Sequence, residues 1–176
     1  MTIDIGSVIG VDVQTFGQPG QRTFRLRMVA GGDETASLWL EKQQLQALEM
    51  AFAQMLAQTG FAEDPTAPPV ETFPDAPSHD IRIGRIALGF DPANSTVVLH
   101  AFAIESDEET QPTFSARLTR RQCASLVPQL REIIVAGRPQ CALCGAPDDG
   151  SGHACIRANG HSRQPIPNDR HEEGQT

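Results

Sequence analysis

The chain has 176 residues, 39% of them hydrophobic and 5% aromatic, and 14 Lys and Arg against 22 Asp and Glu leave a net charge of −8. This length supports a substantial core, and the acidic balance argues against a strongly basic nucleic-acid binder. No apolar run approaches the roughly 20 residues of a membrane-crossing helix, and the N-terminal MTIDIGSVIG lacks a basic-then-apolar leader pattern, so a cytoplasmic protein is expected.

In chain order, VIGVDV (residues 8–13) and RTFRLRMVA (residues 22–30) read as strands joined through the turn-rich FGQPGQ. Phe24, Leu26 and Met28 alternate with Arg25 and Arg27, so one strand face is dry and the other basic. Ala36, Leu38 and Leu40 continue the alternation, with Trp39 on the opposite side. The period then changes: Leu45, Leu48, Phe52, Met55 and Leu56 fall on one face of a helix. Residues 61–80 carry five prolines and five acidic residues without a Lys or Arg, which predicts a semi-extended linker.

IRIGRIALGF (residues 81–90) and STVVLHAFAIE (residues 95–105) are the next strands, joined by the turn former DPAN. Phe114, Ala116 and Leu118 alternate in a third strand, after which Cys123, Leu126, Leu130, Ile133 and Ile134 share a helical face. Thr119 and Gln122 have the spacing of a capping box for that helix. Pro128 removes one backbone donor inside it and is expected to bend it. Cys123 occupies a core slot, which predicts a buried and inert thiol.

Residues 35–56 align with residues 113–134 without a gap, and the strand-to-helix switch falls at the same step in both. The expected fold class is therefore α+β: two βββα repeats (residues 1–60 and 81–137) with antiparallel sheet and two helices. Whether the repeats share one sheet is left open. A small zinc-binding knuckle (residues 138–161) and a polar tail (residues 162–176), expected to be disordered, complete the chain.

The knuckle is expected from Cys141-x2-Cys144, His153, Cys155 and His161. A CxxC turn offers two thiolates to one ion, and Cys155 supplies a third. Either His153 or His161 completes the tetrahedron that structural zinc requires. A disulfide is disfavoured in a reducing compartment, and a thioredoxin-like CxxC would open a helix rather than lie among Gly, Pro and Asp. A catalytic zinc would need an open position and a nearby base.

Other features are weaker. Arg22, Arg25, Arg27, Arg82, Arg85, Arg117, Arg120 and Arg121 would make a basic face, with Trp39 as the one stacking candidate. Arg25, Arg27, Trp39 and Arg117 are its central members. His79, expected in the linker, and His100, on the polar side of a strand, read as ordinary surface residues. No phosphate-binding glycine loop or nucleophile elbow is present in the sequence.

GQPGQRTFRL, LEKQQLQAL, IGRIALGFD and the closing AGRPQCALCGAPDDGSGHACIRANGH resemble the bacterial family known as domain of unknown function 3090. The resemblance runs from about Ile5 to His161, and the GRP-x-C-x2-C block with G-H-x-C is its most specific part. It implies ligand positions at Cys141, Cys144, His153 and Cys155, with His161 often replaced. It implies no activity. The expectation is a non-enzymatic zinc-binding protein acting as an adaptor for an unidentified protein partner, with no membrane association. Single-stranded nucleic-acid binding on the arginine face is the alternative, and a metal-dependent enzyme the least favoured reading. The oligomeric state is not encoded in any recognisable pattern.

Overall fold

The computed structural model describes residues 1–17, 21–62, 70–106, 110–136 and 143–144. Its first unit, Met1–Arg138, holds all the regular elements found among the described residues. They are β1 (Ile3–Phe16), β2 (Thr23–Ala30), a short 3-10 turn (Gly31–Asp33), β3 (Thr35–Leu40), α1 (Lys42–Gln58), β4 (His79–Asp91), β5 (Thr96–Ala103), β6 (Phe114–Thr119) and α2 (Arg120–Ala136). Of the second unit, Pro139–Thr176, only Leu143 and Cys144 are described.

Each half runs strand, strand, strand, helix, and all six strands close into one barrel in the order β1-β2-β3-β4-β5-β6. Within each half the pairings are antiparallel, as expected. The expected sheet is corrected at the two seams between halves: β3 pairs with β4, and β1 with β6, in parallel. The reason is connectivity. A helix separates β3 from β4 and returns the chain to the same end, which permits parallel pairing that no hairpin could make.

β1 and β4 are long because each serves two partners. β1 pairs with β6 through Ile3–Ser7 and with β2 from Val8 onward; β4 pairs with β3 through His79–Arg82 and with β5 from Ile83 onward. Both strands slip register at the changeover, between Val8 and Gly10 and between Ile83 and Arg85. One extra residue switches which parity faces inward. Val8 is buried before the slip and Val11 and Val13 after it; Ile83 is buried before its slip, and Ile86 and Leu88 pack on the core after it. Gly84 sits in the second bulge, where a Cβ would stand 3.2 Å from the Ile104 Cα.

The inward residues are apolar: Phe24, Leu26 and Met28 from β2, Leu38 and Leu40 from β3, Leu99 from β5, and Phe114 and Leu118 from β6. Ala36, Ala101 and Ala116 leave room for these larger neighbours. The helices pack against each other, and Leu45, Leu48, Phe52 and Leu56 of α1 join the same cluster as Cys123, Leu126 and Leu130 of α2. α2 stays continuous through Pro128.

Both helices begin with a capping box. Around α2, the Gln122 backbone N–H donates to Thr119 Oγ1 (3.2 Å) and the Thr119 N–H to Gln122 Oε1 (2.8 Å), as the spacing predicts. Around α1 the same exchange links Glu41 and Gln44. Each glutamine also has a free amide end, and both use it across a seam. Gln44 Nε2 donates to the Ile83 and Gly84 carbonyls (2.8 Å each), and Gln122 Nε2 donates to the Val8 carbonyl (2.8 Å). Each helix start is thereby tied to the bulge of the opposite half. The expected DPAN turn between β4 and β5 is closed by Asp91. Its side chain accepts from Asn94 Nδ2 (2.7 Å), and from the Ala93 and Asn94 backbone N–H groups, holding its carboxyl below the ordinary value.

Leu48 and Leu126 occupy matching helical positions and are 2% and 0% exposed. Leu48→Ala and Leu126→Ala are each expected to destabilise the protein by about 2–5 kcal/mol in urea titration. A change under about 0.5 kcal/mol at either position would mark it as a surface site and contradict this packing.

Candidate functional site

The outer face of β1, β2 and β3 gathers three of the four residues expected from sequence on a basic face. Register sets Asp12 opposite Arg27 and Gln14 opposite Arg25; Arg25 in turn lies opposite Trp39, and Arg27 opposite Ser37. Alternation points all of these outward, opposite in parity to Phe24, Leu26 and Met28.

This face is not a free cationic surface. Arg27 makes a two-pronged ion pair with Asp12, whose side chains are 12% and 5% exposed; Nε lies 2.7 Å from Oδ1, and Nη2 also engages the carboxylate. Arg25 donates to Gln14 Oε1 (2.7 Å), and its guanidinium lies 4.8 Å from the Phe16 ring centre and 5.4 Å from that of Trp39. Phe16 and Trp39 are themselves in tilted contact at 5.4 Å. The Trp39 indole N–H donates to Asp80 Oδ1 (2.5 Å) across the β3–β4 seam. Aromatic rings and a guanidinium thus form one packed group.

The described end of the linker crosses this face. Val70 donates its N–H to Asp12 Oδ2 (3.2 Å), and its Cγ2 fits against Gly10. Phe73 lies 5.0 Å from the Arg27 guanidinium and 5.8 Å from that of Arg25. Ser78 N–H donates to Thr35 Oγ1 (3.0 Å), and His79 pairs with Glu34 (2.9 Å). His79, expected in the linker, is the first residue of β4. Thr35, on the outer side of β3 and touched by Ser78, is buried, and so is Ser37 two residues on.

Arg117, the fourth expected member, lies elsewhere, on β6 in the second half. It forms a two-pronged pair with Asp4 (3.3 and 3.0 Å) across the β1–β6 seam. On the same outer face His100 Nδ1 lies 3.2 Å from Ser115 Oγ. A groove of about 550 Å³ runs between α1 and β4 and is lined by Ala47, Leu48, Ala51, Met55, Ile86 and Leu88, with Gln43, Gln54 and Gln58 among its polar members. Sequence reasoning missed both the groove and the strap. An F-P step in an otherwise polar linker was the one available signal for the strap.

Of the expected metal ligands, Cys144 is described and half-buried; Cys141, His153, Cys155 and the alternative His161 lie outside the described residues. Among the described residues no group of three His, Cys, Asp or Glu side chains is close enough to share an ion. Also among them, no helix is long and apolar enough to cross a membrane.

The fold and the strapped face define a closed six-stranded mixed barrel in two halves, each half contributing three strands and a helix. The chain belongs to the family described as "Protein of unknown function (DUF3090)", domain of unknown function 3090, which it matches over residues 7–155. Neither the curated proteins nor the solved structures contain a match.

Cys123 is 1% exposed, and burial raises its thiol from an ordinary value of 9.0 to about 12. Because the folded value is the higher one, the stability it contributes is complete below pH 9 and declines as pH rises from there toward 12. At pH 8 the folded protein is expected to leave Cys123 unmodified by iodoacetamide, read by peptide mass mapping, and to expose it in 8 M urea. Labelling of Cys123 at equal rates in both conditions would contradict its burial.

Proposed function

We propose that this protein is a non-catalytic binding module of two βββα repeats whose C-terminal segment holds one structural zinc ion through Cys141, Cys144, His153 and Cys155. The repeat reading is supported by the helices: each has 17 residues, and the alignment that sets Lys42 on Arg120 also sets Gln58 on Ala136. It is supported again by the two glutamine contacts, which fall at aligned positions and reach the bulge of the first strand in the opposite half. An adaptor role in the cytoplasm suits an acidic chain whose thiolates would be kept reduced.

The observation that carries the non-catalytic reading is how the charged residues of the barrel face are used. Asp12 is matched to Arg27, Asp4 to Arg117, and Asp80 to the Trp39 indole, so these groups hold the fold together instead of converging on a cleft. A general acid or base would need an open approach to substrate. The barrel interior is filled by apolar side chains. Nucleic-acid binding through Arg25, Arg27, Trp39 and Arg117 has less support. Arg117 stands apart from the other three, and Phe73 covers the two arginines of β2.

For zinc, the support is donor chemistry: three thiolates and one imidazole at knuckle spacing make a closed tetrahedral set. Purified protein is expected to carry about one equivalent of zinc by plasma mass spectrometry. Cys144→Ser should lose it and Cys123→Ser should keep it. Metal-free protein that is fully folded, or equal metal content in the two variants, would contradict the proposal.

A further inference from the structure

We infer that the outer face of β1, β2 and β3 is a recognition surface for an extended peptide that carries an aromatic residue between acidic ones, and that residues 70–78 occupy it as an internal stand-in. This inference rests on the binding-module reading and gives that module a site and a class of partner.

The first argument is what sits on the face. The strap has the sequence VETFPDAPS, an aromatic residue flanked by Glu71 and Asp75. It is held by a backbone N–H on Asp12, an apolar contact at Gly10, a Phe ring beside two guanidiniums and a hydroxyl exchange at Thr35. Two backbone N–H groups bond to side chains of the face and one ring lies beside its arginines, so a peptide laid across it is held through its main chain and selected by its ring. Glu71, Thr72, Pro74, Asp75 and Ala76 remain exposed, so the strap is attached at few points along its length.

The second argument is that the strap is an incomplete occupant. On this face the Ser37 hydroxyl, on a residue 0% exposed and opposite Arg27, and Arg25 Nε find no hydrogen-bond partner among the described residues. A buried donor left unpaired favours any occupant that brings an acceptor to it. A peptide whose carbonyl or carboxylate reaches Ser37 or Arg25 would satisfy what the strap leaves unsatisfied, and so can displace it.

The third is charge. An acidic peptide suits Arg25 better than a nucleic acid does, because neutralisation of Arg27 by Asp12 leaves few cations for a phosphate backbone. A tethered strap competes at an effective concentration of about millimolar, so wild-type protein should bind such a peptide only weakly.

Trp39, the only tryptophan in the chain, stands within this face and reports on it. The experiment is a fluorescence titration of full-length wild type and Phe73→Ala with the synthetic peptide VETFPDAPS. Phe73→Ala is expected to give a saturable Trp39 signal with a midpoint at least tenfold below that of wild type. The same peptide with Ala in place of Phe should give no signal. Circular dichroism checks that the variant is folded; if it is not, Phe73→Leu, which keeps bulk and loses the ring, is read in the same way. Indistinguishable titrations for wild type and variant would overturn the inference. So would a variant that binds oligodeoxythymidylate but not the peptide. Zinc content is measured on the same samples, so failure of the metal reading is seen separately from failure of this one.

Discussion

Closure of the barrel depends on two parallel seams, and at each a single glutamine carboxamide joins helix to strand. Gln44 and Gln122 each spend the oxygen on a helix cap and the nitrogen on a carbonyl of the opposite half. A β-bulge leaves backbone groups out of the ladder, and a buried unpaired carbonyl is costly. The amide side chain is suited to the task because it is donor and acceptor at once. Loss of the donor end would loosen the seam without disturbing the helix start.

From that constraint the surface chemistry follows. Once β3 and β4 run in parallel, Trp39 meets Asp80; once β1 and β6 do so, Arg117 meets Asp4. The chain must also travel from the end of α1 to the start of β4, and its last stretch, residues 70–78, lies over β1 and β2. The same path that closes the barrel therefore lays Phe73 over the arginines. Structure and candidate recognition share one piece of chain.

Much of this was legible in the sequence because it is local. Alternation located β2, β3, β5 and β6, the expected helical faces of both halves pack on the core with Met55, Ile133 and Ile134 only partly buried, and Thr119 with Gln122 caps α2. The expected residues 81–90 cover nearly all of β4, but residues 8–13 cover less than half of β1, whose alternation breaks at the bulge where it changes partner. The cap of α1 escaped notice since Glu41 is an unusual N-cap residue. Parallel seams carry no local signature, and neither does a strap held by a few contacts to residues more than forty positions away. The acidic partners of Arg27 and Arg117 were not legible for the same reason: Asp12 and Asp4 are neighbours that only tertiary structure supplies.

The most direct test of the seam account is urea unfolding of Gln122→Glu followed by Trp39 fluorescence. Glutamate keeps the acceptor needed at the helix cap and removes the donor to Val8. Trp39 belongs to the first half, the substitution to the second. The account predicts one cooperative transition, seen identically by fluorescence and far-UV circular dichroism, with stability lower by about 1–3 kcal/mol. A Trp39 transition unmoved by the substitution, or one that separates from the circular dichroism, would contradict it.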